Sequence, residues 1–229
     1  MFKFLEYIAN ILYPEICCAC DEHLVEHEYL MCVYCRNKLP FSEFYGGTEN
    51  TLKKKFYGRI PLQYACSLLL FQKKGMAQKL IHHLKYRNNE NIGIFLGSLL
   101  GEKLSRNKKM NSIQYIIPVP LHPKKEKKRG YNQLTKFGQT LATKMCIPFR
   151  ENVLIRNKIA PTQTKKDPHE RWENTVNAFT ITDYDLLKNQ HILLIDDVVT
   201  TGATLEACTL ELLKIENIKI SIACIAHVE

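Results

Sequence analysis

No Gly-Lys-Ser or Gly-Lys-Thr occurs anywhere in the 229 residues, which excludes a Walker-type phosphate loop. No apolar run approaches the roughly 20 residues that a helix needs to cross a bilayer, so no transmembrane segment is expected. Internal repeats and low-complexity segments are absent too, which excludes solenoids and compositionally disordered chains. A secretory leader is not expected: Lys3 is the one cation of the N-terminus, Glu6 interrupts its apolar run, and no small-residue cleavage site follows. Asp and Glu are the minority, 23 against 32 Lys and Arg, and the formal net charge of +9 points to anionic partners such as phosphates, nucleic acid or acidic surfaces.

These absences leave a globular protein, 45% hydrophobic, whose expected compartment is the cytoplasm. Disulfides are rare there and the nine cysteines are an odd number, so clustered cysteines read as metal ligands. Cys17 with Cys20 and Cys32 with Cys35 form two C-x-x-C knuckles, and each thiolate pair can hold one side of a tetrahedral Zn²⁺. Cys18 is a spare that could pair with Cys20 instead, and His23 and His27 are lesser alternatives. Four thiolates leave no open coordination position, so the expected zinc is structural.

The chain is organised around 191–204. Ile192-Leu193-Leu194-Ile195 has no alternation and reads as a strand buried on both faces, the habit of a parallel sheet covered by helices. Asp196 and Asp197 are expected at its C-terminal end. Val198-Val199-Thr200-Thr201-Gly202-Ala203-Thr204 is then expected as a loop opening a helix. Open parallel sheets bind ligands at the carboxyl ends of their strands, and a helix N-terminus favours an anion. Carboxylates that accept from hydroxyls, followed by a loop that holds a phosphate, suit a sugar phosphate. The competing reading makes Asp and Thr mere turn and capping residues, but two adjacent carboxylates and three threonines around one glycine exceed what a cap needs. This order of residues resembles the signature of type I phosphoribosyltransferases. The resemblance implies an acidic pair on the ribose hydroxyls of phosphoribosyl pyrophosphate and a TTG loop on its 5′-phosphate.

Before this stretch, Phe4, Leu5, Ile8, Ile11 and Leu12 mark a short amphipathic helix ended by Pro14. A strand is expected within 62–71 and helices around Leu80, Ile81 and Leu84 and from Ile92 to Leu104. The intervening His82-His83-Leu84-Lys85-Tyr86-Arg87 reads at least as well as a solvated helix end as it does as an anion site. Tyr115 to Pro120 is the next strand, ended by its prolines. Leu121 to Gln133 is a strongly basic loop, a helix follows from Leu134, and short strands are expected at 152–156, 178–181 and 218–225. Residues 162–171 read as a polar loop.

Pro118-Val119-Pro120-Leu121, Arg129-Gly130-Tyr131-Asn132-Gln133, Thr162-Gln163-Thr164, Arg171 with Asn174, Asn177-Ala178-Phe179, Leu84-Lys85-Tyr86-Arg87 and the cysteine knuckles surround the Asp-Asp-TTG stretch. Together they resemble the ComF family of competence-associated proteins, a zinc ribbon joined to a phosphoribosyltransferase-like domain. The resemblance implies an α/β fold in which helices flank a parallel sheet. The expected divisions are an N-terminal helix and ribbon at 1–40, a connecting, hood-like segment at 41–110 and the phosphoribosyltransferase-like core at 111–229. It implies phosphoribosyl pyrophosphate with Mg²⁺ as ligand, with Arg129 and the turn of Pro118, Val119 and Pro120 on the pyrophosphate and Gln163 and Arg171 closing over it. Single-stranded DNA and proteins of the competence machinery are the implied partners. The transferase reading and a non-catalytic sensor both fit. Both carboxylates are expected to face a ligand crevice, so replacing both with amides should weaken binding and leave the fold intact.

Overall fold

A computed structural model of the chain describes residues 14–42, 50–87, 89–157 and 178–229. Four parallel strands form the main sheet in the order β1 (Ala65–Leu70), β6 (Lys219–His227), β5 (His191–Val199) and β2 (Tyr115–Pro118). The edge strand β1 thus comes from the 41–110 stretch. A two-stranded antiparallel ribbon, β3 (Leu154–Arg156) with β4 (Phe179–Ile181), stands apart. The helices are α1 (Val33–Asn37), α2 (Thr51–Lys54), α3 (Met76–Tyr86), α4 (Glu90–Ser105), α5 (Pro123–Arg129), α6 (Leu134–Met145), α7 (Tyr184–Leu187) and α8 (Ala203–Leu212).

The unalternated apolar run becomes the sheet centre. Ile192 to Ile195 are fully buried between β2 and β6, because parallel strands with helices on both faces bury both sides. Helix α4 presents Ile92, Leu96, Leu100 and Leu104 to the core at four-residue spacing. It lies close against α6: a Cβ on Gly97 would stand 2.6 Å from the Phe137 carbonyl oxygen, so only glycine permits this approach.

Strand length sets up the crevice. Pro118 of β2 lies level with Ile195, and the Val119 N–H still donates to the Ile195 carbonyl, at 2.9 Å. Beyond it Pro120 has no N–H to continue the ladder. Among the described residues, strand β5 runs on to Val199 paired with β6 alone. The last four residues of β5 therefore border an opening that β2 leaves.

Two expectations change here. Asp196, Asp197, Val198 and Val199 belong to β5 rather than to its end and the following loop. The reason is β6, which keeps pairing through Val199 opposite His227 and so holds the strand extended. The basic stretch after β2 is also not all loop, since Pro123 to Arg129 form α5. Pro at the first turn, His122 Nδ1 accepting from the Lys124 N–H at 3.2 Å, and Gly130 at φ 81° stop both ends of a helix without one buried residue. Periodicity could not show it, because there is no apolar residue to be periodic. The amphipathic stretch at 4–12, Gln163, Arg171, Asn174, Asn177 and the polar loop at 162–171 lie outside the described residues.

Candidate sugar-phosphate site and cysteine centre

Side chains alternate along a strand, so the two aspartates leave β5 on opposite faces. Asp197 is 7% exposed and both of its oxygens are engaged. Lys85 Nζ, from the last turn of α3, donates to Oδ1 at 2.6 Å, and Gln133 Nε2 donates to Oδ2 at 2.5 Å. Gln133 is itself oriented by Arg129, whose Nη1 donates to Gln133 Oε1 at 2.7 Å. A lysine and an arginine thus bracket one buried carboxylate, the arginine acting through an amide. Sequence reasoning left Lys85 between a solvated helix end and an anion site, since nothing local showed that β5 lies beside it.

Asp196 has a different setting. Its Oδ1 accepts the Asp197 N–H at 2.8 Å. Part of the residue reaches solvent, yet burial around the carboxyl, with Asp197 alongside, pushes its pKa up from 3.8 to about 8. The folded protein then keeps a proton that the unfolded chain releases near pH 3.8, so this group's contribution to stability declines as pH rises toward 8 and is level beyond. Asp196→Asn is accordingly expected to flatten the fall of Tm between pH 5 and 8. A slope identical to wild type would show that Asp196 is ionised across that range.

The loop after β5 is braced from the N-terminal side. Gly202 adopts φ 80°, a left-handed turn, and a Cβ there would meet the Phe56 ring at 2.6 Å. Arg59 Nη1 donates to the Thr201 carbonyl at 2.9 Å, and its other terminal nitrogen pairs with Glu206 in the first turn of α8. Gly202 offers no side-chain cap to α8, and Thr201 Oγ1 accepts the Ala203 N–H at 3.4 Å. Thr200 and Thr201 are exposed, and the first-turn N–H groups of α8 lie beyond them, which suits a phosphate. Phe56 and Arg59 carry no motif, so the sequence could not single them out.

Beside Lys85 lies a cavity of about 290 Å³ lined by Lys85, Tyr86, Lys125, Lys128, Arg129 and Tyr131. Arg129 stacks over the Tyr86 ring at 5.2 Å, and Tyr86 is 62% exposed. The basic stretch therefore contributes two α5 lysines to a pocket next to Asp197.

At the N-terminus the structure gathers Cys17, Cys20, Cys32 and Cys35, with all four sulfurs within 4.8 Å of one another, and leaves Cys18, His23 and His27 outside. Cys20 and Cys32 sulfurs are 3.8 Å apart, close to the roughly 3.8 Å edge of a tetrahedron with Zn–S bonds of about 2.3 Å. The donor set and spacing fit Zn²⁺. N–H groups of Ala19 and Cys32 point at Cys17 Sγ, at 3.5 and 3.4 Å. Burial raises the Cys17 pKa, but these and neighbouring N–H donors outweigh it and bring it to about 7. Cys18 instead receives Asn89 Nδ2 at 3.6 Å, and burial raises its pKa.

A family model described as the phosphoribosyl transferase domain matches residues 137–228, from within α6 to the end of the sheet. Competence protein F of Haemophilus influenzae is 33% identical over 150 residues, covering 62% of this chain and 64% of that one. The DNA utilization protein YhgH of Escherichia coli K12 is 27% identical over 152 residues, 65% of this chain and 66% of that one. The chain thus spans just under two thirds of the curated relatives it matches. Among solved structures, the purine phosphoribosyltransferase of Pyrococcus horikoshii Ot3 is 23% identical with a TM-score of 0.39, covering 60% of this chain and 73% of that one. The parallel sheet flanked by helices is the type I phosphoribosyltransferase fold. With a four-cysteine cluster ahead of that domain, the chain is similar to Competence protein F and to the YhgH proteins.

Proposed function

We propose that this chain binds phosphoribosyl pyrophosphate with Mg²⁺ in the crevice at the C-terminal ends of β2 and β5, and that it serves in DNA uptake. One arrangement carries the reading: Asp197, held by Lys85 and by a Gln133 that Arg129 orients, and Asp196 beside it lie just ahead of a braced Thr-Thr-Gly loop and the start of α8. Among the described residues, Asp196 keeps one oxygen for a ribose hydroxyl. Thr200, Thr201, Thr204 and the first N–H groups of α8 take the 5′-phosphate. The Pro118 to Pro120 turn and the Lys85–Arg129 pocket face the pyrophosphate. Mg²⁺ neutralises pyrophosphate charge and keeps much of its water, so it needs no cage made entirely of protein. If transfer occurs, these groups act by positioning and electrostatics, holding the sugar while the bond from C1 to pyrophosphate breaks. The role in DNA uptake rests on the names of the relatives. Among the described residues no helix is long and apolar enough to cross a membrane.

Calorimetric titration with phosphoribosyl pyrophosphate and Mg²⁺ tests this reading, and a wild-type protein that shows no binding at millimolar ligand would end it. A pyrophosphate-release screen over bases, amines and single-stranded DNA then separates a transferase from a sensor that binds and does not release.

A second reading draws on the same pocket. Exposed Tyr86 beside four cations is a stacking surface within a basic groove, the combination that holds single-stranded nucleic acid. Binding of an oligonucleotide should weaken steeply with salt, with the slope reduced in Lys125→Ala with Lys128→Ala. Salt-insensitive binding would contradict it.

A further inference from the structure

Helix α3 faces the cysteine centre along one side and the candidate ligand site along the other. Lys79, His83 and Arg87 fall four residues apart and form one stripe. Lys79 Nζ bonds to Asp21 Oδ2 at 2.6 Å, and Asp21 also lies within electrostatic reach of His83 and Arg87. Asp21 directly follows Cys20 and sits in the left-handed region at φ 67°, fixed by its N–H bond to the Cys17 carbonyl at 2.9 Å. The cysteine knuckle therefore places Asp21, and Asp21 places Lys79. Lys85 projects from nearly the opposite face, six residues and about 9 Å further along the axis, and reaches Asp197. The same turn is tied to the basic pocket, because the Tyr131 hydroxyl donates to the Leu84 carbonyl.

The cysteine module cannot drift independently of this helix. Its exit chain extends the sheet, with the Ser42 N–H donating to the Leu68 carbonyl at 2.9 Å and the Leu70 N–H to the Pro40 carbonyl at 2.8 Å. Arg36 lies over Phe95 of α4 at 5.6 Å, and Asn89 reaches Cys18. The module is thus anchored to β1 on one side and to α3 and α4 on the other.

We infer that the four-cysteine module is a positioning element for the ligand site: through Asp21, Lys79 and the last turns of α3 it holds Lys85 on Asp197. Resting on the proposal that this site binds phosphoribosyl pyrophosphate, the inference makes the module a determinant of that affinity. Lys85 is a positioning residue in this scheme, since it acts through Asp197.

Lys79→Glu is the test, because it sets two carboxylates against each other at an exposed position, and Lys79→Arg is its conservative partner. Full-length protein is labelled with a small acetylating reagent and the rate at Lys85 is read by mass spectrometry, with metal content and circular dichroism measured on the same samples. Wild type and Lys79→Arg should label slowly at Lys85, and Lys79→Glu about threefold faster, with metal and helix content retained. Affinity for phosphoribosyl pyrophosphate with Mg²⁺ should weaken by a similar factor, the scale expected for losing an exposed ion pair. Equal Lys85 labelling in Lys79→Glu and wild type, with metal retained, would overturn the inference. That readout uses no ligand, so it decides the coupling even if titration shows that phosphoribosyl pyrophosphate does not bind.

Discussion

Asp197→Asn is expected to lower Tm by roughly 5 to 10 °C at pH 7, whereas Asp196→Asn beside it should leave Tm unchanged or raise it. Asp197 is buried with Lys85 Nζ at 2.6 Å and the Gln133 amide at 2.5 Å, so the amide variant leaves a largely enclosed ammonium without its counter-charge. Removing one partner of a buried pair costs about 3 to 5 kcal/mol. Lys85 keeps 21% of its side chain exposed, and water reaching it reduces that to roughly 2 to 3 kcal/mol. For a chain of this size each kcal/mol shifts Tm by about 2 to 4 °C. Asp196 carries the opposite liability, because burial opposes its ionised form and an amide removes that opposition. The sequence alone treats the two carboxylates as equivalent and predicts an intact fold when both are changed. Alternation along β5 is what separates them. Thermal melts of the two single variants decide the matter, and equal losses would mean that Asp197 is no more enclosed than its neighbour. Lys85→Met should reproduce part of the Asp197→Asn loss, and the double variant should lose less than the sum, since both remove one interaction.

Most of the sheet was legible because its strands are runs of aliphatic residues bounded by prolines and polar turns, and the helices α4 and α6 show a regular apolar spacing. The candidate site was legible where chemistry sits in contiguous residues, as in Asp196 to Thr204 and the two cysteine knuckles. It was opaque where the partner is remote: Lys85 lies 112 residues from Asp197, and Arg59 lies 142 from Thr201. Pairings of that kind arise from the sheet order β1-β6-β5-β2, in which strand β1, from the N-terminal half, closes against the C-terminal strand. Helix α5 escaped notice for a different reason. Its signals are a proline, a histidine cap and a glycine rather than a buried face, and a run of lysines looks the same in loop and helix.

Loss of metal should have the largest effect of all. Cys17 and Cys35 are 0% and 2% exposed, so without a cation the cluster brings four sulfurs together in a space where several thiolates cannot coexist. Burial, reinforced by the neighbouring sulfurs, drives the Cys35 thiol far above its ordinary range. A bound Zn²⁺ reverses that preference by holding all four as thiolates, and in zinc-finger peptides such binding contributes an apparent 10 to 16 kcal/mol to folding. Only part of that energy is needed to order the module, whose regular structure among the described residues is α1 and a few isolated bridges. Protein purified without chelators should contain one zinc per chain. Cys32→Ser should lose the metal and at least about 10 °C in Tm, while Cys18→Ser, whose sulfur meets Asn89 rather than the cluster, should keep the metal and lose far less. Absence of zinc from the wild type would remove the basis for a metal centre. Equal metal loss in both variants would return Cys18 to the ligand set, with Asn89 then contacting a ligand sulfur.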